Sequence, residues 1–243
     1  MCIIAIVPKN KALPNKDVLE TCFVNNPDGI GYMFTTRDNK VKVVKGFSKF
    51  KTFYKAIQSD KALNDSSPFI IHFRIATQGF NLKCTQPFVI SDNILKLKSS
   101  QQYGKIGIAH NGIIDLTTEY LRKWDKTAKK WIDTEPPYSD TMAFITRYLS
   151  LLDNPMSKKS LKLIDNLSNN SNRFVLLDGK GDYKTVGNWV QNGDYLFSNE
   201  TFKPRVTTKP YGLDYHDYRK SDYYPCYTCV DGDCQNCTKV YQW

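Results

Sequence analysis

The hydrophobic residues of this chain are cut into short runs, and that pattern most constrains its fold. Cys2–Val7, Gly31–Thr36, Val41–Gly46, Arg173–Leu177, Tyr183–Val186 and Tyr195–Ser198 have strand length. Phe69–Ile75 and Ile106–His110 read as strands buried in a core. Phe50–Ser59, Leu116–Trp124 and Met142–Leu152 read as helices. Asp125–Pro137 reads as a surface excursion between the last two. Short strands interspersed with a few helices support an α+β fold and nothing finer. No apolar run approaches the roughly 20 residues that span a bilayer. A chain of 243 residues with 41% hydrophobic and 13% aromatic content can bury a substantial single core and is not of a disordered composition.

Chemistry concentrates in four places. Cys2 follows the initiator Met1 directly. Removing Met1 would leave a thiol and a free α-amine on one residue. The amine, with an ordinary pKa of about 7.7–8.0, can act as base to its own thiol. Arg74 stands at the end of the apolar run Pro68–Ala76, where a guanidinium needs a reason to be. Its planar fork suits a carboxylate, and a structural ion pair would also explain it. Asn111-Gly112 offers a side-chain N–H and a backbone N–H that nothing shields, the donors that an oxyanion requires. The same pair is a favoured β-turn dipeptide. Ser139-Asp140 precedes the helical-looking run from Thr141 to Leu149, so it reads as a cap. A carboxylate at a helix start stays ionised and can also receive an ammonium group.

Taken in order, Cys2, His72-Phe73-Arg74-Ile75-Ala76-Thr77-Gln78-Gly79, His110-Asn111-Gly112 and Ser139-Asp140-Thr141 resemble the class II glutamine amidotransferases. Members of that family share an N-terminal Cys and H-x-R-x-A-T-x-G, H-N-G and S-D-T segments. Asp28-Gly29-Ile30-Gly31 is similar to the family's early turn, and Arg173–Asp178, Gly187-Asn188-Trp189 and Phe197-Ser198-Asn199 to its late strands. The resemblance covers roughly residues 2–200. It implies the four-layer αββα sandwich of N-terminal-nucleophile hydrolases over residues 2–202. It implies release of ammonia from glutamine through a thioester on Cys2, with Asn111 and Gly112 as the oxyanion hole. Arg74 and Thr77 would bind the substrate's α-carboxylate and Asp140 its α-ammonium. His110 joins this substrate-binding set, with a conformational or hydrogen-bonding role expected for it and for His72 rather than a Cys–His dyad. The family segment often carries an aromatic residue where Ile75 stands and a His where Gln78 stands. Those departures bear on the pocket wall and on coupling to an acceptor, and not on the thioester chemistry. No cofactor is required for that chemistry. Family members usually carry a domain that consumes the ammonia. No stretch here has the length for one, so the acceptor is expected on a separate polypeptide.

Residues 203–243 differ in character, being rich in Tyr, Lys, Asp and Pro. Cys226, Cys229, Cys234 and Cys237 form two C-x-x-C pairs with four residues between them. They could ligate one tetrahedral Zn²⁺. Zinc ribbons usually separate such pairs by about a dozen residues or more, so two local disulfides or a reduced tail stay open. Cys22 and Cys84 read as ordinary buried thiols. The apolar start Cys2–Val7 is too short for a signal peptide and lacks a basic flank, which points to the cytoplasm. The Lys- and Asn-rich composition suits a phage-encoded protein acting in its host's cytoplasm. The net charge of +10 is spread over many lysines, as a solvated surface would carry it. No nucleic-acid-binding module appears, so neither nucleic acid nor a membrane is an expected partner. Two other functions fit the residues. One is hydrolysis of γ-glutamyl peptides or conjugates, with Arg74 and Asp140 holding the glutamyl end. The other is an idle scaffold that binds protein or nucleic acid through its basic, Cys-rich tail.

Overall fold

A computed structural model describes residues 2–76, 81–114, 122–125, 127, 129–133, 139–167 and 171–204. Its residues up to Lys203 form one compact unit. The tail with Cys226, Cys229, Cys234 and Cys237 lies outside the described residues, as does Thr77.

The fold is α+β, with two antiparallel sheets and helices. The larger sheet runs β12 (Val190–Asn192), β13 (Tyr195–Phe197), β1 (Ile3–Val7), β4 (Phe69–Phe73), β2 (Ile30–Thr35), β3 (Val41–Phe47) and β6 (Gln101–Gly104). The smaller runs β11 (Tyr183–Val186), β10 (Arg173–Asp178), β7 (Ile106–Asn111) and β5 (Phe88–Val89). β1 and β4 lie next to each other with Ile3 opposite Phe73, which brings Cys2 beside Arg74. β13 flanks β1 on the other side, with Ala5 opposite Phe197, and brings Ser198 and Asn199 to the same end.

Strands buried on both faces need no polar alternation, and β1, β2 and β4 have none. Their odd and even residues enter different cores. Ile3, Ala5, Val7, Ile30, Tyr32, Phe34, Phe69, Ile71 and Phe73 pack with Leu19 and Cys22 of α1 (Lys16–Asn25) and with Phe50, Phe53 and Ile57 of α2 (Phe50–Leu63). Ile4, Ile6, Met33 and Ile70 belong instead to a second core with Val89 and Ala109 of the smaller sheet. That second core continues to Phe174, to Met142 and Phe144 of α4 (Asp140–Arg147) and to Ile164 of α5 (Lys158–Leu167). Gly107 allows the sheets to approach, since a Cβ there would press on Met33 and Val41. Cys2 and Arg74 continue the Ile4–Ile6 and Ile70–His72 rows, on the face turned toward the smaller sheet.

Two expectations fail here. Leu116–Trp124 reads as a helix, but Arg122–Asp125 is a strand, β8, paired with β9 (Lys130–Asp133) inside the expected surface excursion; residues 116–121 lie outside the described residues. Trp124 stands opposite Trp131 in the register of this pair, and aromatic residues favour strands. The helix expected over Met142–Leu152 begins at Asp140 and ends at Arg147, followed by a 3₁₀ turn at Leu149–Leu151. Among the elements with no sequence expectation are α1 and α5. Asn15 caps α1, its side chain accepting the Asp17 N–H at 3.1 Å. Ser157 bonds the Ser160 N–H at 3.1 Å at the start of α5.

Candidate active site at the ends of β1, β4 and β7

Cys2 is held through its backbone and its sulfur. Asn199 donates from Nδ2 to the Cys2 carbonyl at 2.7 Å. The orientation of that amide is set by Thr201, whose N–H and hydroxyl both bond Asn199 Oδ1, at 2.9 and 2.7 Å. The Ile75 N–H donates to Cys2 Sγ at 3.4 Å. Burial pushes the Cys2 thiol up; the Ile75 N–H and the Arg74 charge pull against it, and Asp140 adds to the rise. The net direction is upward, so Cys2 rests as a thiol and needs a base to react.

Neither described histidine is bonded to the thiol. His72 is fully buried on β4 and bonds the His110 carbonyl through Nε2 at 3.2 Å. Burial, helped by the Arg74 charge, lowers its pKa to about 3. The His110 ring is turned away from the inter-sheet face. It stacks on Phe174 at 4.4 Å between ring centres. Its Nδ1 meets Thr141 Oγ1 at 3.0 Å, and its Nε2 meets Asn172 Oδ1 at 2.6 Å. Asn172 Oδ1 accepts from Nε2, and Thr141 Oγ1, which lies against Nδ1, also meets Asp140 Oδ1 at 3.2 Å. Both ring nitrogens are thus engaged by protein. Period-two alternation explains why: Asn111 and His110 are adjacent in β7 and must point to opposite faces.

Arg74 is 5% exposed and its guanidinium donates to the Asn81 carbonyl at 3.3 Å. Its backbone extends the β2–β4 ladder, with Arg74 N–H on the Gly29 carbonyl and Asp28 N–H on the Arg74 carbonyl, both at 2.9 Å. Asp28 also accepts the Ala76 N–H on Oδ2 at 2.8 Å, which fixes the turn leaving Arg74. Gly31 is required close by, because a Cβ there would overlap the Gln86 carbonyl and Lys45.

Asn111 ends β7 and donates from Nδ2 to Ser198 Oγ at 2.9 Å. Ser198 Oγ also receives the Ile4 N–H at 2.9 Å, and the Ser198 N–H returns to the Ile4 carbonyl at 3.0 Å. Asn111 is thereby tied to the strand that carries Cys2. Gly112 has φ +152, and a Cβ there would overlap Asn172 Oδ1 and crowd His110 Nε2. Asp140 opens α4 behind its cap Ser139, whose hydroxyl accepts the Met142 N–H at 3.4 Å. Asp140 Oδ2 accepts the Ile114 N–H at 3.0 Å and Oδ1 the Thr141 N–H at 2.7 Å. Gln86 ties these parts together, accepting the His110 N–H at 2.6 Å and donating to Thr141 Oγ1 at 3.2 Å.

The fold therefore gathers Cys2, Arg74, Asn111, Gly112 and Asp140 at one end of the two sheets. Gln86, Asn172, Ser198 and Asn199 were given no role by the sequence reading. Only Ser198 and Asn199 left a signal, as part of a late strand; Gln86 and Asn172 lie in segments with no pattern of their own. Among the described residues no group of three or more His, Cys, Asp or Glu could hold a metal ion, and no helix is long and apolar enough to cross a membrane. Cys22 and Cys84 are buried and free, burial pushing the Cys22 thiol up to about 12. No protein-family model matches this chain, and no curated protein matches it.

Proposed function

We propose that this protein is a glutaminase of the class II glutamine amidotransferase type, with an N-terminal Cys nucleophile and the αββα sandwich of that class. The observation that carries the reading is the meeting of four motifs, spread from residue 2 to residue 140, around one thiol to which neither described histidine is bonded. Removal of Met1 gives Cys2 a free α-amine. The amine takes the thiol proton, and sulfur attacks the amide carbon of glutamine, forming a C–S bond and an oxyanion. The Asn111 side-chain amide and the Gly112 N–H stabilise that oxyanion. Collapse breaks the C–N bond, and the α-ammonium returns its proton so that ammonia leaves. Water, deprotonated by the same amine, then cleaves the γ-glutamyl thioester to glutamate and restores the thiol. Arg74 pairs with the substrate's α-carboxylate, joined by Thr77, and Asp140 pairs with its α-ammonium. His110 braces the Asn111-Gly112 segment from the opposite face. The ammonia passes to an acceptor on a separate partner.

The test is intact-mass analysis of the purified protein with and without 6-diazo-5-oxonorleucine, alongside ammonia release from glutamine. Loss of Met1 with one adduct, absent in Cys2→Ala, is the expected result. Processed, folded protein that neither takes the adduct nor releases ammonia overturns the proposal. A processed protein that ignores glutamine but cleaves γ-glutamyl peptides moves the substrate to that class.

A further inference from the structure

The amide of Asn111 and the hydroxyl of Ser198 leave an incomplete account of their hydrogen bonds. Both residues are 1% exposed. With Asn111 Nδ2 against Ser198 Oγ, the Ser198 oxygen receives two donors, the amide and the Ile4 N–H. The Ser198 hydroxyl proton then has no acceptor among the described residues. Asn111 Oδ1 is likewise buried without a partner. An orphaned buried acceptor costs about 1–3 kcal/mol, and here it would also repel an oxyanion.

The two ends of a carboxamide have nearly the same shape, and the hydrogen-bond network decides which is which. Turning the Asn111 amide by half a revolution gives the Ser198 proton an acceptor and exchanges the orphaned oxygen for amide N–H groups that a bound oxyanion can satisfy. Ser198 keeps the Ile4 N–H as its donor and gives its own proton to Asn111 Oδ1. Nδ2 then occupies the place of the orphaned oxygen, with both N–H groups unspent. The Ile4 N–H matters to this, because it fills a lone pair of Ser198 Oγ and leaves the hydroxyl proton for the amide.

We infer that Ser198 is a positioning residue: its hydroxyl, polarised by the Ile4 N–H, holds Asn111 with Oδ1 toward Ser198 and Nδ2 free to donate to the oxyanion. This rests on the glutaminase reading for its consequence, and on the hydrogen-bond account for the orientation itself. Ser198 touches no substrate and acts only through Asn111. An oxyanion donor works in the transition state, so loss of its orientation falls on kcat and leaves KM in place.

Two experiments separate the inference from the reading it extends. Neutron diffraction from deuterium-exchanged crystals of wild-type protein locates the deuterium of Ser198 and distinguishes the amide ends, whatever the activity. Deuterium directed from Ser198 Oγ to Asn111 Oδ1 is expected; Nδ2 against Ser198 overturns the inference. Glutaminase kinetics, normalised to protein that accepts the 6-diazo-5-oxonorleucine adduct, give the consequence. Ser198→Ala lowers kcat by about 10- to 100-fold, less than full loss of a donor, with KM within about twofold. Ser198→Thr, which keeps the hydroxyl, restores kcat to within about threefold, and Ser198→Cys, a weak donor, lies between. A Ser198→Ala enzyme with wild-type kcat, or one whose loss falls on KM, overturns it. An inactive wild-type enzyme with the expected neutron density sinks the glutaminase reading and keeps the orientation.

Discussion

Acid should unfold this protein through His72. Its imidazole titrates near 6.5 in an unfolded chain, and burial in β4, with Arg74 nearby, lowers this to about 3 in the fold. Between those values the unfolded chain holds a proton that the folded chain refuses. Stability is therefore complete above pH 6.5 and falls as pH drops, by about 1.4 kcal/mol per unit for one such group. From pH 7 to pH 4.5 the loss from His72 comes to about 2.5 kcal/mol. The group is fully buried, so solvent screening does not reduce it. His110, also pushed down by burial against the pull of Asp140, adds a fall of the same sign, and carboxylates join at the acid end. Subtraction isolates His72. His72→Gln keeps an amide donor for the His110 carbonyl but has nothing to titrate. Urea unfolding at pH 7, 6, 5 and 4.5 should show the variant's stability falling less steeply, the two curves converging by about 2.5 kcal/mol. Parallel curves would refute the assignment of a neutral, proton-refusing imidazole to this position.

Other perturbations read other parts of the site. Arg74→Lys keeps the charge and loses the planar fork, so KM for glutamine should rise by about tenfold or more with a smaller change in kcat. Gly112→Ala must place a Cβ on Asn172 Oδ1 at a φ that disfavours side chains; thermal unfolding should show a loss of about 2 kcal/mol or more, with kcat falling as the Gly112 N–H moves. Asn172→Leu strips His110 Nε2 of its acceptor at full burial and should cost about 1–3 kcal/mol, measured by urea unfolding. Lys45 donates to the Lys83 carbonyl at 2.5 Å and lies over Phe88, and burial lowers its pKa from 10.5 to about 7. Wild-type stability should rise between pH 7 and pH 10, where the unfolded chain still holds a proton that the folded chain has given up, and Lys45→Met should flatten the rise.

Much of the strand framework was legible along the chain. β1, β2 and β4 announce themselves as apolar runs because both of their faces are buried, and burial on both faces selects side chains one residue at a time. The motif residues were legible too, since an Arg at the end of such a run is unusual in itself and the common Asn-Gly and Ser-Asp pairs stand out by their order along the chain. α1 and α5 were not read: charged residues dominate their exposed faces, and their caps, Asn15 and Ser157, are single polar residues among many. β8 read as helix because Leu116–Trp124 carries no turn signal, and only pairing with β9 marks Arg122–Asp125 as a strand.

By itself the sequence determined the place of Cys2 directly behind Met1, the short-strand composition of the core and the residue types, an Arg, an Asn-Gly pair and an Asp, that the site holds. The tertiary structure alone decided their company. Cys2 meets Arg74 because β1 pairs with β4, and meets Ser198 and Asn199 because β13 pairs with β1. Pairing partners so far apart in the chain are chosen by the closure of the whole sheet, which no local pattern records. The structure also decided that Asn111 reaches Ser198, which bonds the strand carrying Cys2, while His110 stacks on Phe174. Adjacent strand residues point to opposite faces, and which face belongs to which core depends on what packs there.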